Sequence, residues 1–453
     1  MVHDVKMSAV ARHAIVALVI ALVAPGCATR LPPETLPDLV TRTGVPPRPP
    51  DAGGTALPPG VVVEDGLTEQ EAVAVALWNN PDFQVQLADI GFARADLLEA
   101  GLLQNPVFSL LFPVGPKQLE ATLRWPIEVL WQRRRRVAAA RLAAESVAAG
   151  LEQTGLTLVS DVKMAYVDYA LARDRARLAE QSLIELEEIA RLMDSRFQAG
   201  DISQLEARTA AIDAARARQD AERAGLDVAL RANDLRARLG LTLDMRDLQP
   251  VITPAVVEPC GTAAALLEEA LASRPDVRAA EIAIESAGAR LGWERSRIVA
   301  VTAALDANGQ GQEGFEMGPG VDVSIPVFNR NQGMIARARA ELQRAGGHYV
   351  AARQRVGAEL RDAITRFDRA SLAVREWRAT VLTPLEEQVR VADRAFAEGD
   401  VAYLFVIEMN RRLTDARLRT REAEADLARA VARIERAIGR RCGPAGKEFQ
   451  RGF

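Results

Sequence analysis

The chain has 453 residues and a net charge of −4; 49% of it is apolar and only 5% aromatic. Acids and bases balance without a clustered basic surface, which leaves no electrostatic case for nucleic acid as a partner. Ala, Arg, Leu and Glu dominate, the composition of long packed helices.

In chain order, Lys6 and Arg12 precede the apolar run Ala14–Ala24. Eleven residues are too few to span a bilayer and fit a signal-peptide core within residues 1–26. The run ends in Ala24-Pro25-Gly26-Cys27, which resembles a bacterial lipoprotein signal. That resemblance implies a lipidated (palmitate-bearing) Cys27 as the first mature residue, and Ala28 in place of Asp implies sorting to the outer membrane. The plainer reading is an ordinary signal peptide with a chance cysteine. Residues 27–65 read as an extended linker, because nine prolines fall between 32 and 59. No later apolar run approaches ~20 residues, so a membrane crossing would have to be a β-barrel.

From residue 66 onward the sequence repeats. ALWNNPD from Ala76 matches ALASRPD from Ala270, LRWPIEVLW from Leu123 matches VSIPVFNRN from Val323, and RFQAGDISQLE from Arg196 matches AFAEGDVAYLF from Ala395. The offsets are nearly constant at 194, 200 and 199. The spacing defines copy one (66–250), a linker (251–261), copy two (262–442) and a tail (443–453).

Each copy reads helix, strand, strand, long helix, tight turn, helix. The first helix starts at Thr68 with the capping pattern Thr-Glu-Gln-Glu. In the strand candidate Leu119–Trp125, Leu119, Ala121, Leu123 and Trp125 share one face, while Glu120, Thr122 and Arg124 share the other. Gly320–Ile325 alternates likewise and Val299–Asn308 more weakly. Such alternation suits a barrel facing lipid outside and water inside; a soluble half-buried sheet has the same period. Gln132–Gln198 is predicted as one helix, with turns at Gly200-Asp201 and Gly399-Asp400 and a kink or packing change at Pro384. Pro126 and Pro326 mark the strand-to-helix junctions, where a missing ladder donor is tolerated. Two strands per copy make four per chain, too few to close a barrel. Two chains would fill an eight-stranded barrel with side chains, and three would leave a passage through twelve strands.

SIPVFNRNQGMIARARAEL and WPIEVLWQRRRRVAAARLAAE resemble the strand-to-helix junctions of TolC-type outer-membrane efflux proteins, in particular those of heavy-metal-cation systems. RFQAGDISQLEA and AFAEGDVAYLFVIE resemble their hairpin tips, with Ala395 standing where copy one has Arg196. The resemblance implies a mainly α fold: a homotrimer whose 12-stranded outer-membrane β-barrel continues into a long periplasmic α-helical barrel. It implies tips that meet a periplasmic adaptor (membrane fusion) protein coupled to an inner-membrane pump. On the tips the residues are Arg196, Phe197, Gly200, Asp201, Leu205, Phe396, Gly399, Asp400 and Leu404. It also places Cys260 and Cys442 near mid-height, where a disulfide would tie the inter-copy linker to the chain end; two free thiols are the alternative.

No enzyme emerges. His348, the one histidine after the signal segment, suits a helix surface, and no set of residues forms a metal site, a cofactor site or a triad. Gly309–Gly314 matches GxGxxG but is followed by a strand pattern, so it reads as a hairpin loop. Arg133–Arg136 reads either as a solvated face or as a belt near anionic lipid headgroups. The main expectation is a passive export conduit; the alternative is a periplasmic coiled-coil scaffolding lipoprotein without a barrel.

Overall fold

The computed structural model describes residues 57–62, 66–112, 119–241, 248–251, 261–309 and 315–442. Copy one runs α1 Glu69–Asn79, α2 Pro81–Gly101, β1 Val107–Leu111, β2 Glu120–Pro126, α3 Val129–Gln198 and α4 Gln204–Leu239. Copy two runs α5 Ala263–Ser273, α6 Pro275–Ser296, β3 Val301–Gly309, β4 Phe315–Val323, α7 Gln332–Glu376, a π-helical turn Trp377–Leu382, α8 Thr383–Glu398 and α9 Tyr403–Ile438.

Where the pattern predicts one opening helix per copy, each copy has two. Asn80 and Arg274 stand before prolines and are extended, with ψ of 117° and 131°. A residue before proline is pushed out of the helical region, and the proline then starts the next helix at no cost in hydrogen bonds. Thr68 caps α1 as expected: its hydroxyl accepts from the Glu71 N–H, and Glu71 accepts from the Thr68 N–H.

The 70 residues of α3 span roughly 105 Å at ~1.5 Å per residue. Such a helix is stable only through its neighbours. It packs on α4, α2, α6 and α9, and α7 packs in turn on α6 and α9. One row of helices therefore reads α2–α3–α6–α7 near the sheet and α4–α3–α9–α7 further away. Across the α3–α9 seam Lys163 meets Glu435 at 2.7 Å and Arg175 meets Glu422 at 2.6 Å, with Asp168–Arg429 between them. Residue numbers rise on one helix as they fall on the other, so the charges set an antiparallel register. Lys163 also reaches Glu69 at 3.0 Å. Burial lowers the Lys163 pKa, and the two carboxylates outweigh it, so the net direction is upward.

The largest core lies at mid-height, where α1 crosses the first hairpin: Val73, Val75, Val162, Tyr166, Leu235 and Leu239. The Tyr166 hydroxyl donates at 2.8 Å to the carbonyls of Leu67 and Val251, joining the start of copy one to the linker after it. Copy two repeats this core with Leu266, Val277, Val356, Leu360 and Ile438.

At Pro384 the expected irregularity is a π-helical turn just before it, in which the Thr383 N–H donates to the Arg378 carbonyl five residues back. Proline has no N–H to continue the α ladder and its ring crowds the preceding turn, so the helix widens there.

Candidate channel surfaces: the two-faced sheet and the hairpin tips

The four strands form one antiparallel sheet in the order β1-β2-β3-β4, so the copies join through β2 and β3. The register carries the alternation across every strand. Phe108 pairs with Leu123, Leu123 with Leu305, and Leu305 with Pro319. The next rows on that face hold Leu110, Ala121, Ala307 and Met317 on one side, and Trp125, Ala303 and Val321 on the other. The opposite face carries Ser109, Thr122 and Asp306, then Glu120, Asn308 and Glu316, and Thr302 with Asp322. Four carboxylates on that face stand against one cation, Arg124, which reaches Asp322 at 3.6 Å. Val107 and Leu111 of β1 also fall on the polar side.

The apolar face is uncovered: Phe108 is 59% exposed, Met317 67% and Val321 64%. That separates the two meanings of alternation, because a soluble half-buried sheet would have this face against a core. Among the described residues the outer edges of β1 and β4 have no strand beside them. Among the described residues no helix is long and apolar enough to cross a membrane.

The sequence located β2 and β3 to within two residues. It left β1 unplaced, because VFSLL is apolar on both faces and does not alternate. Pro126 ends β2 and α3 begins three residues later, so the first junction is as direct as predicted. The second junction is not. β4 stops at Val323 and α7 starts at Gln332, with Pro326 inside a tight turn closed by the Val327 N–H donating to the Ile325 carbonyl at 2.9 Å. The fixed φ of proline suits that three-residue turn. Asn331 ends the connection at φ 57°, and its side chain donates to the Glu294 carbonyl and carboxylate at 2.8 and 2.9 Å.

Three of the arginines in Arg133–Arg136 make contacts that neither sequence reading offered. Arg133 Nε donates to the Gly101 carbonyl at 2.7 Å and Arg136 Nε to the Ala100 carbonyl at 2.8 Å, closing the end of α2. Arg135 donates to the Gly292 carbonyl near the end of α6 at 3.2 Å. Cations unfavourable at the start of α3 are favourable at the C-terminal ends of its two neighbours. Only the sheet's placement of α2 and α6 beside α3 reveals this.

The tips match each other. Gly200 has φ 84° and Gly399 φ 88°. The Asp201 N–H donates to the Arg196 carbonyl at 2.9 Å, and the Asp400 N–H to the Ala395 carbonyl at 2.8 Å. The Gly200 N–H bonds the Phe197 carbonyl at 3.0 Å, as Gly399 does that of Phe396. Leu205, Phe396 and Leu404 are exposed, and so is Phe405, which the sequence reading did not single out. Ser203 caps α4, and its hydroxyl and backbone N–H hold the Glu206 carboxyl below the usual range. The Ser-x-x-Glu spacing was a legible signal for that cap. Cys442 stands in a disulfide; Cys27, Cys260 and residues 310–314 of the GxGxxG match lie outside the described residues.

Among the described residues the chain thus combines a sheet with one uncovered apolar face and two unpaired outer edges with long helical hairpins that continue from it. The family model for outer membrane efflux proteins matches residues 73–241 and 266–440, and the chain belongs to that family. It is 26% identical over 384 residues to the cobalt-zinc-cadmium resistance protein CzcC of Cupriavidus metallidurans, covering 83% of this chain and 90% of that one. It is 26% identical over 275 residues to the probable outer membrane lipoprotein SilC of Salmonella typhimurium, covering 57% and 58%. Among solved structures CusC superposes with a TM-score of 0.67 at 20% identity, over 82% of this chain and 92% of that one. The chain is an outer-membrane efflux channel component, and the scaffold without a barrel gives way to it.

Proposed function

We propose that three chains close one 12-stranded barrel and a helical tunnel beneath it, forming the outer-membrane duct of a tripartite efflux system. The two-faced sheet with two open edges carries this reading, since an unpaired edge is not tolerated in lipid. The helix row supports the same ring. Its open side at α2 and α4 bears Val85 and Phe92, then Leu205, Ile212 and Leu226, exposed at multiples of seven residues. Its other side is α7, with Val350 and Leu372 exposed. Heptad-spaced apolar rows are what a neighbouring long helix packs into. β4 and α7 of one chain thus meet β1, α2 and α4 of the next.

The exposed apolar tips around Gly200 and Gly399 dock a periplasmic adaptor joined to an inner-membrane pump. The polar sheet face lines the lumen, and its excess of carboxylates suits cationic cargo. The likeness to the cobalt-zinc-cadmium resistance protein CzcC favours heavy-metal cations as that cargo. Transport needs no chemistry in the chain and no cofactor. Cys27 carries the lipid anchor, and Cys442 pairs with Cys260.

The test is thiol access in purified trimers. Thr122→Cys and Ser324→Cys react with a membrane-impermeant reagent, whereas Leu123→Cys and Val323→Cys resist it. The reverse pattern would sink the barrel.

A further inference from the structure

We infer that the seam between chains is set by charge and size between α2 of one chain and α7 of the next. Asp89 and Asp96 pair with Arg344 and Arg337 of the next chain, while Val85 and Phe92 seat against its Gly347 and Ala340. The inference rests on the closed ring proposed above and fixes the height at which its chains meet.

The two helices stand at one level. The Gly101 carbonyl at the end of α2 accepts from Arg133, and Arg135 donates to Gly292 of α6. Two residues further along α6, Glu294 accepts from Asn331, just before α7. The end of α2 is therefore level with the start of α7, and the axis of a ring carries equal heights from chain to chain. α2 climbs to the sheet and α7 descends from it. Counting back from Gly101 and forward from Asn331 brings Asp96 level with position 336 and Asp89 level with position 343.

The seam inside the chain gives the same register. There α6, the counterpart of α2, packs on α3, the counterpart of α7. The Ser286 hydroxyl donates to the Ala139 carbonyl at 3.3 Å, and the Ser146 hydroxyl to the Ala279 carbonyl at 3.0 Å. Moved through the repeat offsets of 194 and 200, these contacts put Phe92 level with Arg339 and Val85 level with Gly346. Both routes set Asp96 and Asp89 within two residues of Arg337 and Arg344.

Direction agrees with height. At about 100° per residue, Phe92 lies about 180° round α2 from the buried Phe83, and Gly347 about 180° round α7 from the buried Ala338. Asp89 and Arg344 each lie about 240° from the same two buried residues. Seen from the sheet, the two helices wind in opposite senses and face each other, so both charged stripes fall on the same side of the seam.

The occupant follows from size and charge. Val85 is 70% and Phe92 69% exposed, and a Cβ added at Gly347 meets nothing within 4 Å. Among the described residues Asp89, Asp96 and Arg344 are exposed and form no ion pair in their own chain, and Arg337 holds only Glu341 of its own helix, at 3.1 Å. Large side chains opposite small ones and acids opposite bases make a second molecule of this chain the partner that fits.

The test uses the full-length protein in detergent. Asp89→Arg and Arg344→Asp each set like charges across every seam. Each should raise the fraction of trimer dissociated at a fixed temperature roughly tenfold, since three exposed pairs are lost. The double variant should return it to the parent level. Val85→Cys combined with Gly347→Cys should form oxidant-dependent disulfides between chains, and neither cysteine alone should do so. Parent trimers with neither cross-link nor rescue overturn this seam and leave the ring intact. A cross-link without rescue overturns the charge pairing. A monomeric parent protein overturns the ring and the seam together.

Discussion

Copy one and copy two fold alike but are fastened by different chemistry. At the helix break before each proline, copy one places Asn80, which accepts from the Phe83 N–H at 3.0 Å and donates to the Arg238 carbonyl at 3.0 Å. Copy two places Arg274 there, 2% exposed, forked onto Asp276, 2.7 Å from Glu359 and in reach of the Ala437 carbonyl. Both side chains close the end of the last helix of their copy. One does so with a neutral amide, the other with a buried charge and two carboxylates. The descending helices differ too: α3 is unbroken, whereas copy two passes through a π-helical turn. At the tips copy one has a complete capping box at Ser203 and copy two has Ala402 without a side-chain cap. The repeated punctuation, proline and glycine, preserves the architecture, and side chains around it are free to diverge.

The largest test of that difference is at the helix breaks. Arg274→Met should destabilise copy two by about 3–5 kcal/mol, because Asp276 and Glu359 lose their shared partner. Asn80→Ala should cost copy one only about 1–2 kcal/mol, a cap and a hydrogen bond. Denaturant midpoints of the two variants in detergent would rank them, and equal losses would mean the two fastenings are equivalent.

Next are the turns, where the copies should agree. Neither Gly200 nor Gly399 has an atom within 4 Å of a built Cβ, so only the positive φ opposes a side chain. Gly200→Val and Gly399→Val should each cost about 1–2 kcal/mol at the tip. Trimers should persist in the membrane while export is lost. Normal efflux from the double variant would remove the tips from adaptor docking.

Capping should be exchangeable between copies. Ser203→Ala removes about 1 kcal/mol from the start of α4, and Ala402→Ser adds about 0.5–1 kcal/mol to the start of α9, where the backbone is already extended for a cap. Amide hydrogen exchange in the first turn of each helix would register both changes, with opposite signs.

The smallest effect is electrostatic. Hydrogen bonds from Arg411 and Arg412 hold the Glu408 carboxyl at about 2, against an ordinary 4.5. A depressed carboxyl contributes stability that is complete above 4.5 and is lost as pH falls towards 2. Glu206 in copy one is depressed mainly by its Ser203 cap. Added salt should therefore loosen exchange protection around Glu408 more than around Glu206. Equal salt response at both tips would show that charge pairing is not what separates them.

Length, the tandem repeat, the long hairpins, the glycine turns and two faces of a strand were legible because each rests on local chemistry: helix and strand periods, proline's missing donor, glycine's access to positive φ. β1 was hidden because its sequence is apolar on both sides, and the second junction because its turn depends on Glu294, 37 residues before Asn331. Arg133–Arg136 looked free in sequence since its carbonyl partners come from α2 and α6. The sequence by itself thus determined the long helices, the glycine turns, the duplication and the alternation within β2 and β3. Only the tertiary structure decided that β2 pairs with β3 in a register lining up Ala121, Leu123 and Trp125 with Ala307, Leu305 and Ala303 on one uncovered face, because strand pairing and burial depend on contacts between segments nearly 200 residues apart.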